Sequence, residues 1–280
     1  MLLKVDNLTK VYSAPRRLRI APQPRITALE NVSFAVARGE SFGVIGESGS
    51  GKSTLLRCIV GLEAPTSGSI VFDGVEIGAG APRRTNKTRS QLQMVFQDPY
   101  SAMNPRMTVH DIVCEPMEVH PRPAWRTRRA RTERARELLG LVGLESAHLG
   151  RYPHEFSGGQ RQRICIARSL SLAPECLLLD EPTSALDVSV QAQVLDLLID
   201  LQDRLSLTYI LISHDLGVVR QFCDRVALIR HGRIVELAEA DELFSRPTSG
   251  YARALLDAMP DPDPDRSPFR SARPIGTDPA

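Results

Sequence analysis

The stretch Gly46-Glu47-Ser48-Gly49-Ser50-Gly51-Lys52-Ser53, followed by Thr54, decides how this chain is read. It fits the pattern G-x-x-x-x-G-K-[ST]. It directly follows the apolar run 42–45 and opens a helical pattern over residues 53–60. Each part has a physical purpose. The glycines let the backbone wrap an anion with its N–H groups turned inward. The helix start behind them adds partial positive charge. Lys52 brings a full charge for β- and γ-phosphates, and the Ser53 hydroxyl is a ligand for Mg²⁺. The segment therefore predicts a nucleoside triphosphate site.

Outward from this loop, short apolar runs alternate with longer helical patterns. Strands are expected at residues 41–45, 92–96, 176–179, 209–212 and 226–229. None shows polar alternation, as expected for strands buried on both faces of a parallel sheet. In the helix expected at 190–205, Val190, Val194, Leu197, Leu198 and Leu201 mark one apolar face. The fold class is α/β. The run Leu177-Leu178-Leu179 ends in Asp180-Glu181. A carboxylate at a strand end suits Mg²⁺ coordination, and the next one can polarise an attacking water. Guanine specificity would call for Asn-Lys-x-Asp. The nearest string, Asn86-Lys87-Thr88-Arg89, lacks the acid.

Composition limits the alternatives. The 280 residues suffice for one large domain, or a core with a smaller subdomain. A formal net charge of +2 gives no reason to expect nucleic acid as the main partner. The five cysteines, Cys58, Cys114, Cys165, Cys176 and Cys223, form no Cys-x-x-Cys pair, so no zinc or iron–sulfur site is expected. The N-terminus has no secretory h-region, and no apolar run is long enough for a bilayer. Residues 13–26 read as a loop between two early strands. Residues 122–136 carry seven arginines and read as an exposed helix face. Residues 260–280 are rich in Pro and Asp and are expected to be a disordered tail.

Phe156-Ser157-Gly158-Gly159-Gln160-Arg161-Gln162-Arg163 adds the decisive element. Ser157 and Gln160 have capping-box spacing, and the glycines permit close approach, so a second anion-binding helix start is expected. This string resembles the signature motif of ABC ATPases and stands in their motif order. The departure at Phe156, where leucine is usual, keeps an apolar anchor. The resemblance runs from about residue 2 to 260. It implies a P-loop NTPase (RecA-like) core with an antiparallel β subdomain, an inserted helical subdomain over about 98–164, and a C-terminal extension over about 236–259.

The resemblance also assigns roles. Tyr12 would stack on adenine. Gln97 would touch Mg²⁺ and the lytic water. Asp187, in Ser184-Ala185-Leu186-Asp187, would belong to the dimer-crossing loop, and His214 would contact the γ-phosphate. ATP and Mg²⁺ are the implied cofactors. Two cassettes would face head to tail, with ATP on one loop capped by the other's Ser157.

Residues 96–107 and 247–256 resemble the bacterial oligopeptide, dipeptide and nickel importer ATPases. This implies permease subunits as partners, a second ATPase subunit (a heterodimer, with a homodimer as the alternative), an extracytoplasmic solute-binding protein acting indirectly, and a peripheral place on the cytoplasmic face of the membrane. A soluble ABC ATPase of nucleic-acid maintenance or translation is the competing reading. The long insertions or second cassette expected of such proteins are missing, and Glu133 and Glu137 interrupt the arginine run. Permease docking is expected near residues 97–107, with charge from Asp98 and Arg106 and apolar surface from Tyr100 and Met103.

Overall fold

The computed structural model describes residues 1–13, 25–78 and 85–258. The loop expected across 13–26 lies outside these residues apart from its ends, and the tail expected at 260–280 lies outside them entirely.

The chain opens with β1 (Leu3–Ser13), β2 (Arg25–Val36) and β3 (Ser41–Ile45), then α1 (Lys52–Val60), β4 (Ser67–Phe72) and β5 (Val75–Glu76). It continues with α2 (Asn86–Gln91), β6 (Leu92–Val95), α3 (Pro99–Ala102), α4 (Val109–Val119), α5 (Arg128–Leu141) and α6 (Gly158–Leu170). Next come β7 (Cys176–Asp180), α7 (Val188–Leu205), β8 (Thr208–Ile212), α8 (Leu216–Phe222), β9 (Arg225–Arg230) and β10 (Arg233–Glu239). The last helices are α9 (Ala240–Ser245) and α10 (Gly250–Asp257).

Two sheets result. The larger has the order β10-β9-β3-β8-β7-β6, with only β10 antiparallel. Its five parallel strands are the five expected from the sequence. Their apolar runs are continuous because both faces are covered. Phe42, Val44, Leu178, Ile210 and Ile212 pack towards α1 and the smaller sheet. Ile45, Leu177, Leu179, Tyr209 and Leu211 pack into the second core, with α4 to α8. The smaller sheet is antiparallel, in the order β2-β1-β4-β5.

A parallel sheet brings the C-terminal ends of its strands to one side, and the loops leaving those ends can share a site. Here they carry Gly46 after β3, Gln97 after β6, Glu181 after β7 and His214 after β8.

Two expectations need correction. The arginine-rich stretch is not one exposed helix face. A short 3-10 turn at Pro123–Trp125 precedes α5, which begins only at Arg128. Arg122 lies over the Trp125 ring, and the largely buried Arg131 pairs with Glu118 while bonding the carbonyls of Trp125 and Arg126. Met103 is no surface residue either. It sits in the core at 4% exposure, while Tyr100 beside it is 64% exposed. Asp98 caps α3, accepting from the N–H groups of Tyr100 and Ser101.

Candidate active site at the strand ends

The phosphate loop has the expected form. Gly46 has φ of 152°, and a Cβ there would lie 2.1 Å from the Ile229 carbonyl oxygen, so the position admits only glycine. α1 starts behind Gly51, which offers no side-chain cap. The first N–H groups of α1 therefore remain free for an anion. Lys52 is buried, at 6% exposure. Its ammonium donates to the carbonyls of Gly46 (2.7 Å) and Glu47 (2.8 Å), which engages two of its three donors. Burial lowers the Lys52 pKa, and the nearby charges of Glu181, Asp180 and Glu47 oppose that shift.

A cavity of about 600 Å³ opens over this loop. Ser48, Gly49, Gly51, Lys52, Ser53 and Thr54 form its floor. Gln97, Glu181 and His214 line it as well, as do Ile26, Thr27 and Ala28 of β2.

The catalytic candidates converge on one carboxylate. Glu181 Oε2 accepts from Gln97 Nε2 at 2.9 Å and lies 3.2 Å from His214 Nδ1. Glu181 has φ of 45°, an unusual conformation for a residue with a side chain, and its N–H is tied to the Ile212 carbonyl at 3.0 Å. This turn lets Asp180 and Glu181, though adjacent, take different places. Asp180 lies deeper, with Oδ1 3.4 Å from the Ser53 hydroxyl. Burial and then the Glu181 charge raise the Asp180 pKa, partly offset by the Ser53 hydrogen bond. A buried carboxylate beside a hydroxyl is a hard-oxygen pair, and it fits Mg²⁺.

The other expected residues lie apart from the cavity. Tyr12 does not line it. Its hydroxyl bonds Glu63 and the Thr54 side chain, and Lys10 lies 4.8 Å from the ring centroid. Ser157, Gly158, Gly159 and Gln160 begin α6 and lie away from the loop's cavity. The capping box is formed in both directions, with Gln160 N–H to Ser157 Oγ at 3.4 Å and Ser157 N–H to Gln160 Oε1 at 3.1 Å. A Cβ on Gly159 would meet Val190 Cγ1 at 2.3 Å, so α6 seats directly against α7. Asp187 is the exposed residue before α7. Phe156 is buried, at 4% exposure, as an apolar anchor should be.

Sequence reasoning missed the β2 wall. Ile26, Thr27 and Ala28 reach the loop only through long-range packing, and nothing local in their sequence signals it.

A phosphate loop, a buried strand-end carboxylate and a second carboxylate gripped by an amide and an imidazole define a nucleotide-hydrolysing cassette on a parallel sheet. Residues 29–184 match the family model described as ABC transporter. The chain belongs to that family and is an ATPase. It is 48% identical over 264 residues to a putative peptide import ATP-binding protein of Brucella ovis, covering 94% of this chain and 80% of that one. It is 47% identical over 247 residues to the oligopeptide transport ATP-binding protein OppF of Bacillus subtilis, covering 88% and 80%. Among solved structures, the dimeric post-hydrolysis state of the ATP-binding cassette MJ0796 bound to ADP and Pi matches with TM-score 0.73 and 31% identity, covering 85% of this chain and 99% of that one. The cbiO1 subunit of the Clostridium perfringens cbiONQ ABC transporter complex matches with TM-score 0.72 and 28% identity, covering 88% and 91%. No helix among the described residues is long and apolar enough to cross a membrane.

Proposed function

We propose that this chain is the ATP-hydrolysing subunit of a peptide importer, seated peripherally on the cytoplasmic face of the membrane against permease subunits. The printed functions of its Brucella and Bacillus relatives support peptide as the solute. In this reading the N–H groups from Ser48 to Thr54 and the Lys52 ammonium bind the phosphates, and Tyr12 approaches the adenine. Ser53, Asp180 and Gln97 would hold Mg²⁺, which supplies positive charge against the phosphate oxygens when bound. Glu181 takes the proton of the attacking water, as a carboxylate already oriented by two partners is placed to do. His214 donates to the γ-phosphate and Gln97 positions the water.

The signature turn at Ser157 serves ATP held by a second cassette, and we assign that cassette to a different subunit, giving a heterodimer. The division into a cassette over 1–259, with a helical insertion over about 98–164 and an extension from about 236, belongs to the same reading. Nucleic acid is disfavoured as a partner because the arginine-rich segment satisfies much of its charge internally, through Arg131–Glu118, Arg134–Glu137 and Arg136–Glu133.

One observation carries the transport assignment. A groove of about 540 Å³ runs between the parallel-sheet edge and helices α4 and α6, lined in part by Leu62, Phe96, Ala102, Val119 and Leu172. Leu62, Phe96 and Val119 are exposed at 62%, 40% and 66%, an apolar seat left uncovered by the described residues. Phe96 immediately precedes Gln97, whose amide reaches Glu181. A permease helix in this groove would be mechanically linked to the hydrolytic carboxylate. The groove replaces Met103 as the apolar part of the docking surface.

The test is Val119→Asp in the assembled transporter. Solute uptake and co-purification with the permease are expected to fall at least tenfold while ATP binding persists. Unchanged uptake and co-purification would overturn the groove assignment.

A further inference from the structure

Among the described residues, two contacts hold the phosphate loop's backbone from outside, and only one comes from the sheet that carries it. On one side the β9–β10 turn reaches in, where the Gly232 N–H donates to the Ser50 carbonyl at 2.9 Å. On the other side the contact comes from α10, 204 residues away in sequence. The Glu47 N–H donates to the Tyr251 hydroxyl oxygen at 3.3 Å.

Tyr251 is itself firmly placed. Its half-buried ring packs against the large core, and the Arg230 guanidinium lies 4.7 Å from its centroid. The approach to α10 is anchored by Glu236, at 8% exposure, whose carboxylate accepts from the N–H groups of Thr248 and Ser249, each at 2.8 Å. Ser249 then caps α10 through the Ala252 N–H at 3.0 Å, and Arg253 bonds back to the carbonyls of Pro247 and Thr248. The chain from β10 to α10 is thus a strap fixed at Glu236, with its tip on the phosphate loop.

Glu47 is also where the loop meets its lysine, because the Glu47 carbonyl accepts from the Lys52 ammonium at 2.8 Å. The peptide unit before the Glu47 Cα is therefore held at its N–H by Tyr251 and at its Gly46 carbonyl by Lys52, and the unit after it is held by Lys52 and the Ser50 N–H. A fixed loop loses less conformational freedom when phosphate binds than a mobile one. We propose that Tyr251 is a positioning residue for nucleotide binding: the C-terminal strap pre-orders the phosphate loop by holding Glu47, and so sets the affinity for ATP without touching it. The inference rests on the loop's role as the phosphate cradle.

The test is Tyr251→Phe, which keeps the ring on Arg230 and the core and removes only the hydroxyl. Glu236→Gln, which weakens the anchor, is the second variant, and Lys52→Ala is the control. ATP affinity of each full-length chain is measured by titration, with KM and kcat of the assembled transporter and the melting temperature of the nucleotide-free chain. For Tyr251→Phe, the Kd and KM for ATP are expected to rise about threefold to tenfold, the worth of one hydrogen bond, with kcat and melting temperature unchanged. Glu236→Gln is expected to shift affinity in the same direction by less. Unchanged affinity in Tyr251→Phe while Lys52→Ala abolishes binding would overturn the strap and leave the phosphate loop standing. A drop in melting temperature with unchanged affinity would make the contact purely structural and equally overturn it. Normal binding by Lys52→Ala would remove the loop's role and the proposal with it.

Discussion

Two helix starts in this molecule are expected from the sequence to bind anions, and they are finished differently. At α1 the N-cap is Gly51, which contributes no side chain, and the first N–H groups open into a 600 Å³ cavity with Lys52 beside them. At α6 the N-cap is Ser157, and its hydroxyl and the Gln160 amide form a closed capping box. Ser157 is exposed, away from the loop's cavity. The first end gathers its candidate catalytic groups from its own chain, while the second presents an exposed turn. In the proposed function the hydrolytic unit is divided, and a single copy holds one face of each of two sites.

The largest expected effect attacks the finished end. Lys52→Ala removes a buried ammonium that two loop carbonyls hold in place, and ATP affinity should fall by about 100-fold or more, the scale expected from losing a charge-assisted phosphate contact. The apo fold should remain cooperative. Wild-type affinity in a titration would break the comparison at its stronger side.

Ser157→Ala should act differently. Loss of the cap costs about 1 kcal/mol of stability, which a denaturant midpoint will report. ATP binding by the isolated chain should be unchanged, whereas turnover of the assembled transporter should drop at least tenfold. Equal losses in both assays would place Ser157 in the chain's own nucleotide site and end the distinction between the two ends.

These residues were legible in the sequence for a physical reason. Phosphate binding constrains residue type at fixed local spacing, so Gly46 to Thr54, Asp180 and Glu181 announce themselves. The parallel strands were equally plain, since burial on both faces leaves a continuous apolar run at 41–45, 176–180 and 208–212. What depends on distant packing was not legible. The β1–β2 pairing is broken by register shifts near Val5, Leu8 and Lys10, which blur a period-two pattern. Ile26 to Ala28 form a wall of the cavity only because that sheet folds over the loop. Met103 lies just beyond α3, a helix of four residues that is too short to reveal a buried face by periodicity. The Tyr251–Glu47 contact joins chain segments with no local relation.

The smallest effect concerns the strap. Burial alone would raise the Glu236 pKa, yet hydrogen bonds from Ser249 and Thr248 outweigh it and hold the value down at about 2. A carboxylate depressed on folding contributes stability that is present above its unfolded pKa, near 4.3, and is lost as pH falls through the folded value. The wild type should therefore be the more stable chain at pH 7, with its advantage over Glu236→Gln shrinking as the pH falls from about 4.5 towards 2. Parallel melting curves across that window would remove the charge from the account.

Glu181, held by Gln97 and His214, is proposed as the base of a site that binds ATP independently of it. Glu181→Gln in the transporter co-purified with its membrane subunits measures this directly. ATP should bind with wild-type affinity and be retained intact, with turnover reduced by about 100-fold or more, as removal of a general base requires. Turnover within twofold of the wild type would contradict the assignment and move the base elsewhere in the cavity.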